Sequence, residues 1–314
     1  MNVLFVDSTH PRLPEMLTKA GFTCNYNPDK VTPSNIKDII KDYDGIIIRS
    51  KVRIEKDIID TCKNLKFIGR VGAGLENIDV EYAESKGIKC FNSPEGNRDA
   101  VGEQALGMLL TLFNNIIRAD FEVRNGKWIR EGNRGLEIKG KTVGIIGYGN
   151  MGGAFAQRLQ GFEANVIAYD KYKFDYSNEF VTEKSLEDLF EKTNILSLHV
   201  PLTEETQFMI NDKFINQFKK DIYIINTARG KVLKTEDLVK NLKSGKILGA
   251  ALDVLEYEQT SFEDLHSGEK LPDAFQYLIE SNKVILTPHI AGWTKESNIK
   301  LSEFLANKII AAFT

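Results

Sequence analysis

The chain is poor in the residues that carry most metal and nucleophile chemistry. Its 314 residues hold three cysteines and four histidines. Cys24, Cys62 and Cys90 are scattered, with no C-x-x-C pair, and read as reduced, mostly buried thiols of a cytoplasmic protein. No H-E-x-x-H and no Cys/His cluster occurs, so no metal site is expected. No G-x-S-x-G is present, which leaves serine-hydrolase chemistry without support. There is no block of Lys and Arg, and the net charge is −3, so nucleic-acid binding is not expected. No stretch reaches the roughly 18 uninterrupted apolar residues of a membrane span. The opening MNVLFVDS lacks a basic region and a long apolar core, so it reads as a first strand and not as a signal peptide. With no low-complexity segment or Pro/Ser-rich linker, a chain of this length is expected to form two domains of ordinary size.

What is present centres on Gly140 to Asp170, GKTVGIIGYGNMGGAFAQRLQGFEANVIAYD. Thr142 to Ile146 is an apolar, β-branched run of strand length. The turn G-x-G-x-x-G follows, formed by Gly147, Gly149 and Gly152 around Tyr148, Asn150 and Met151. Ala154 to Leu159 then reads as a helix and Ala164 to Tyr169 as a second strand ending on Asp170. Gly147 permits the tight turn, Gly149 lets a pyrophosphate approach the backbone, and Gly152 lets helix and strand pack closely. The first N–H groups of the helix face the phosphates. A carboxylate at Asp170 can accept both hydroxyls of an adenosine ribose. A glycine turn alone is weak, but one set between two strands with an acidic residue closing the second is specific. Dinucleotide binding follows, and Asp170 argues for NAD, because a 2′-phosphate would meet its charge. Lys171 beside it pulls slightly the other way.

The rest of the chain repeats the strand–helix alternation. Up to about Ser93, strands are expected at Val3–Val6, Asp44–Arg49, Leu65–Gly69 and Ile88–Phe91. Helices are expected at Leu13–Ala20, Pro33–Asp42, Glu55–Cys62 and Val80–Ser85. From Asp99 the run AVGEQALGMLLTLFNNIIRADFEV predicts one extended helix, an interdomain element and dimer contact. The second series has strands at Asn165–Tyr169, Asn194–Val200, Ile222–Asn226, Leu248–Val254 and Val284–Thr287. Helices around Ser185–Glu191, Asn211–Phe218 and Glu236–Leu242 cross between them. Lys295 to Phe313 reads as a helix returning to the first domain. The expected class is α/β, with two doubly wound parallel-sheet domains covered by helices on both faces. Their expected bounds are 1–98 plus 295–314, and 99–294.

Each strand of the second series ends in polar residues, and ligands of open parallel sheets sit at the carboxyl ends of strands. These are Asp170, His199, Asn226 through Arg229, Asp253 with Glu258, and Thr287 through His289. His10 and His266 read as solvated. His199 reads as a structural histidine beside the cofactor, with a catalytic role as the alternative. His289 is the better general acid/base, since imidazole titrates near ~6.5. Arg229, in NTARG, suits a bidentate grip on a substrate carboxylate. Glu258 would hold the tautomer of His289 and favour its charged form.

These residues resemble the NAD-dependent D-2-hydroxyacid dehydrogenases. GYGNMG with Asp170, HVPLT, NTARG, ALDVLEYE and TPHIAGWT occur in that family's order across nearly the whole chain. The resemblance implies two flavodoxin/Rossmann-like domains with the active site in the cleft between them, and a homodimer built on the nucleotide domain. It implies a catalytic set of Arg229, Glu258 and His289. Besides the glycines of the turn and its Asn150 and Met151, implied cofactor contacts are Ala73, Asp170, His199, Val200, Thr227, Ala228, Asp253, His289 and Gly292. The first domain is similar to the phosphoglycerate dehydrogenase branch, in IIIRSKVRI, FIGRVGAGLENID, FNSPEGN and NGKWIR. On that resemblance Arg49, Arg70 and Arg130 hold a substrate phosphate, and the backbone of Val71, Gly72, Ala73 and Gly74 meets the carboxylate.

Two features depart from the family. Gln259 stands where proline usually follows the glutamate, and the segment 260–282 is longer than usual. The chain stops at Thr314, so serine feedback through an appended domain is not expected. The implied activity is NAD-dependent interconversion of D-3-phosphoglycerate and 3-phosphohydroxypyruvate, a step of serine biosynthesis. The alternatives are reduction of glyoxylate, hydroxypyruvate or another 2-keto acid, and a non-catalytic NAD-sensing scaffold.

Overall fold

A computed structural model describes residues 1–258 and 272–314. Gln259, most of the long 260–282 segment and His266 lie outside the described residues. The described chain divides into two compact units. Met1–Arg98 and Trp293–Thr314 form the first, and the described residues between Asp99 and Gly292 form the second.

The first unit is built on strands β1 (Asn2–Phe5), β2 (Thr23–Tyr26), β3 (Gly45–Ile48), β4 (Phe67–Arg70) and β5 (Lys89–Phe91). All pair in parallel, in the order β2-β1-β3-β4-β5. Every residue of β3 and β4 is buried, as continuous apolar strands covered on both faces must be. Helices α1 (Arg12–Lys19), α2 (Ile36–Ile39), α3 (Lys56–Ile59) and α4 (Val80–Ser85) connect the strands. On one face Ile36, Ile58, Ile59 and Ala83 pack on Leu4, Ile46, Ile48 and Ile68. On the other, Leu13 and Leu17 of α1 join Leu301, Leu305 and Ile309 around Phe5, Ile47 and Phe67. Leu301, Leu305 and Ile309 belong to the last helix of the chain, Lys295–Phe313, whose start is fixed by a capping box between Thr294 and Ser297. Sequence had not marked β2, because Thr-Cys-Asn-Tyr is an edge strand without an apolar run. The helix expected over Pro33–Asp42 is shorter, one α-turn followed by a 3-10 turn.

The second unit opens with a correction. The single helix expected from Asp99 is two, α5 (Arg98–Phe113) and α6 (Ile116–Arg124). Asn115 breaks it with a left-handed backbone at φ 51°, a conformation asparagine tolerates better than other residues with a Cβ. The apolar periodicity runs straight through the break, so it carried no warning. α5 buries Ala105, Met108, Leu109, Leu112 and Phe113, whereas α6 buries no residue.

There follow β6 (Thr142–Ile146), α7 (Asn150–Arg158), β7 (Asn165–Tyr169), β8 (Thr182–Glu183), α8 (Leu186–Lys192), β9 (Ile195–Leu198) and α9 (Asp212–Ile215). The unit continues with β10 (Ile222–Asn226), α10 (Thr235–Ser244), β11 (Ile247–Leu252), α11 (Asp273–Glu280) and β12 (Val284–Leu286), and the terminal helix is then α12. The seven strands are all parallel, in the order β12-β11-β10-β9-β6-β7-β8. The winding reverses between β6 and β9, which opens a crevice at their carboxyl ends. The glycine turn leaves β6 at that point.

Candidate active site

β6 ends at Ile146 and α7 starts at Asn150, so the chain must reverse within a few residues. Gly147 does so at φ 91°, and a Cβ there would lie 2.7 Å from the carbonyl oxygen of His199. A Cβ at Gly152 would lie 2.2 Å from the oxygen of Gly147, so only glycine lets α7 come this close to the turn. At Gly149 a Cβ would meet nothing within 4 Å, leaving open space over the backbone. Gly149 caps α7 with no side-chain hydrogen bond, and the first-turn N–H groups of Asn150, Met151 and Gly152 are thus presented to an anion.

Asp170, just past β7, has its carboxylate fixed by three backbone donors. Tyr148 N–H donates to Oδ2 at 2.8 Å, and Tyr172 and Lys173 donate to Oδ1 at 2.9 and 3.1 Å. Further along the same strand ends, Thr227 Oγ1 and His199 Nδ1 are buried without a hydrogen-bond partner among the described residues. Such orphaned groups each cost on the order of 1–3 kcal/mol, a cost a polar ligand offsets. Open space over Gly149, an uncapped helix start, a fixed carboxylate and orphaned polar atoms together fit a dinucleotide. Val200 is half-buried and Ala228 buried beside them. His199 Nε2 lies 2.8 Å from Ser197 Oγ, and its ring packs 5.6 Å from Phe155. Burial pushes its pKa down to about 4, so it is neutral at physiological pH and a poor proton donor there.

The three residues expected to act on substrate all come from this unit. Arg229 follows β10, where buried Asn226 fixes the turn by accepting from Ala228 N–H and donating to the Arg229 carbonyl. Its guanidinium donates to the Ala228 carbonyl at 2.7 Å. The next residue must be glycine, since a Cβ at Gly230 would lie 1.9 Å from the carbonyl oxygen of Leu255. That contact brings the segment after β11 against the arginine turn. Leu255 N–H donates to Glu258 Oε1, and Glu258 Oε2 lies 2.7 Å from His289 Nδ1. His289 itself has a left-handed backbone at φ 53°.

Asp253 explains how that backbone is held. It is 1% exposed, and its Oδ1 and Oδ2 accept from Ile290 and Ala291 N–H, each at 2.9 Å. Thr287 Oγ1 also donates to Oδ1, and the Asp253 carbonyl accepts from His289 N–H at 2.8 Å. The residue expected among the cofactor contacts therefore wraps the turn that carries His289 and leads into Gly292. Sequence spacing alone did not reveal this, although D-V-L-E and T-P-H at the ends of adjacent strands were its only trace.

Four of the five expected substrate residues, Arg49, Arg70, Val71 and Gly72, belong to the first unit. Arg49 and Arg70 end the neighbouring strands β3 and β4, and the Arg49 guanidinium stacks on the Trp293 ring at 4.7 Å. Arg70 is buried. Its Nε donates to the Arg49 carbonyl at 3.1 Å and its Nη1 to the Gly74 carbonyl at 2.7 Å. In the turn after Val71, the carbonyls of Gly72 and Ala73 accept from Ser93 N–H and Asn92 Nδ2. Arg130 belongs to the second unit, where it is exposed at the start of a 3-10 turn. Trp293, which sequence reasoning did not single out, could have been found only as an aromatic beside the T-P-H-I-A-G run.

The sequence profile of the D-isomer specific 2-hydroxyacid dehydrogenase NAD binding domain matches residues 106–291. The chain belongs to that family and is an NAD-dependent oxidoreductase acting on a CH–OH group. It is 39% identical over 273 residues to a hydroxypyruvate reductase of Thermotoga maritima, covering 86% of this chain and 85% of that one. It is 32% identical over 312 residues to a D-3-phosphoglycerate dehydrogenase of Archaeoglobus fulgidus, covering 99% of this chain but 57% of that one. Among solved structures it resembles a D-lactate dehydrogenase of Aquifex aeolicus complexed with NAD and lactic acid. The TM-score is 0.82 at 30% identity, covering 99% of this chain and 95% of that one. No described helix is long and apolar enough to cross a membrane.

The buried imidazole of His199 makes stability depend on pH. Its folded pKa, about 4, lies below the value of ~6.5 expected in the unfolded chain. The unfolded state therefore binds the proton first, and the stability contributed above pH ~6.5 is lost as pH falls toward 4. The urea midpoint should drop across that window, and His199→Gln should drop less steeply. Parallel pH profiles for the two proteins would remove the assignment.

Proposed function

We propose that the protein interconverts D-3-phosphoglycerate and 3-phosphohydroxypyruvate, feeding serine biosynthesis. The chemistry rests on the Glu258–His289 pair at 2.7 Å, which belongs to the same unit as the glycine turn. NAD, when bound, supplies the site for hydride exchange with C2. Arg229 orients the substrate carboxylate and the C2 oxygen by charge-assisted bonds. His289 Nδ1 is committed to Glu258, so the hydroxyl proton passes to Nε2. Glu258 then stabilises the imidazolium. Asp253 keeps the histidine turn fixed while the proton moves.

Arg49 supports a phosphorylated substrate. Burial lowers its pKa more than the charges of Asp7 and Tyr26 raise it, so an incoming dianion relieves a desolvated cation. Its stacking on Trp293 holds the guanidinium plane in one orientation. The carbonyls of the Gly72–Gly74 turn are taken up within the protein, which suits its N–H groups to the substrate carboxylate. The competing reading, a hydroxypyruvate or glyoxylate reductase, draws on the 39% identity to a hydroxypyruvate reductase and on the occupation of Arg70 by backbone carbonyls. Comparing NADH-dependent kcat/KM on phosphohydroxypyruvate, hydroxypyruvate and glyoxylate decides between them. One charge-assisted contact of roughly 1.5–3 kcal/mol corresponds to at least about tenfold preference for the phosphorylated acid. Arg49→Ala should remove most of it. Equal kcat/KM with and without the phosphate would give the site to the unphosphorylated acids.

The proposed working form is a cytoplasmic homodimer joined through α6. That helix buries nothing, and Ile117, Phe121 and Trp128 are 57%, 66% and 80% exposed. The following loop folds back on it through Arg118 to Gly132 and Asn133 to Glu122. A nine-residue helix is marginal in water unless its apolar side chains are covered. It carries charges of both signs, Arg118 and Arg124 with Asp120 and Glu122, and a two-fold contact would join this same surface of each copy. The three free cysteines suit a reducing compartment, and burial pushes the Cys62 and Cys90 thiols up to about 11. Phe121→Asp should convert the particle to monomer by light scattering. A monomeric parent protein, or an unchanged mass in the variant, would exclude this surface.

A further inference from the structure

The segment following β7 reads Asp170-Lys171-Tyr172-Lys173, two lysines beside the carboxylate that meets the adenosine ribose. Left to themselves, two such cations would invite a 2′-phosphate at the same edge. Both are drawn elsewhere. Lys171 Nζ pairs with Glu205 Oε1, and Tyr172 OH donates to Glu205 Oε2, so one carboxylate from the loop after β9 clasps both side chains. Lys173 Nζ bonds to the Tyr148 carbonyl at 3.2 Å and lies over the stacked rings of Tyr148 and Tyr176. What remains at the ribose edge is the carboxylate of Asp170, fixed by its three backbone donors.

We propose that Glu205 is a specificity-determining residue for the cofactor. It holds Lys171 away from the ribose, so that the edge is negative and a 2′-phosphorylated dinucleotide is rejected. The inference rests on NAD binding by this unit and not on the identity of the acid substrate. Its physics is modest and directional. Lys171, Tyr172 and Glu205 are solvent-exposed, so removing the anion changes the field at the ribose by an amount that salt screens. The hydrogen bond to Glu205 raises the Lys171 pKa, and a lysine released from it still carries its charge, because an ordinary lysine titrates near ~10.4.

The test is a binding titration without any 2-keto acid, following the fluorescence of NADH and of NADPH. Glu205→Gln keeps the shape of the clasp and loses its charge, whereas Glu205→Ala releases the lysine altogether. In both, the ratio of NADPH Kd to NADH Kd should fall about three- to tenfold at low salt, more for the alanine variant. The gain should shrink in 0.5 M salt, on the order expected from a Debye length of a few ångströms. Adding Lys171→Ala should return the ratio to its parent value. A ratio that does not move in either variant overturns the proposal. So does a gain that survives without Lys171, because the phosphate would then be responding to something else. Failure of the substrate assignment would leave these titrations unaffected.

Discussion

The buried carboxylate of Asp253 is the constraint on which the reactive end of this molecule depends. His289 has a left-handed backbone, which costs a residue with a Cβ about 1–2 kcal/mol. Asp253 opposes that cost with two charge-assisted bonds from backbone N–H groups and one from a hydroxyl, each worth roughly 1.5–3 kcal/mol. The balance favours the strained turn. The turn aims the imidazole at Glu258, whose other oxygen is anchored on Leu255 N–H. Gly230 lets that segment press against the arginine turn. The Glu258–His289 pair and Arg229, the groups proposed for proton transfer and carboxylate binding, are thus positioned by three strand ends of one parallel sheet.

The same sheet divides its labour by strand order. β6 and β7 lead into the glycine turn and Asp170, and β10, β11 and β12 lead into the residues proposed to act on the acid. β9 stands between, contributing a histidine that burial keeps neutral and whose carbonyl packs against Gly147. Charge is managed with equal economy. Where cations would mislead, at Lys171 and Lys173, they are tied to Glu205 and to the Tyr148 carbonyl. Arg49, proposed to meet an anionic substrate, is partly desolvated and stacked on an indole.

Much of this was legible from residues alone, for identifiable reasons. Strands buried on both faces, such as Thr142–Ile146 and Ile222–Asn226, announce themselves as apolar β-branched runs and were read with their observed bounds. The terminal helix Lys295–Phe313 was equally plain, being long and amphipathic. Edge elements were not. β2 and β8 are short and half exposed, and α11 lies in a stretch whose length, not its pattern, drew notice. The break at Asn115 was hidden because a left-handed residue leaves no mark on periodicity. Motif order brought Arg229, Glu258 and His289 onto one list. It could not say that Asp253 would spend its carboxylate on the histidine turn, or that Arg70 would spend its guanidinium on carbonyls, because hydrogen-bond partners are chosen by three-dimensional packing.

Asp253→Asn examines the central constraint most directly. An asparagine keeps one accepting oxygen but turns an amide N–H₂ toward a backbone donor, so the wrap around the histidine turn loses at least one bond and gains a clash of donors. Turnover of the preferred 2-keto acid should fall by at least about tenfold, the scale of one lost charge-assisted bond, while NADH affinity stays within about threefold. Turnover at the parent level would contradict this account, as would a loss carried wholly by weaker NADH binding.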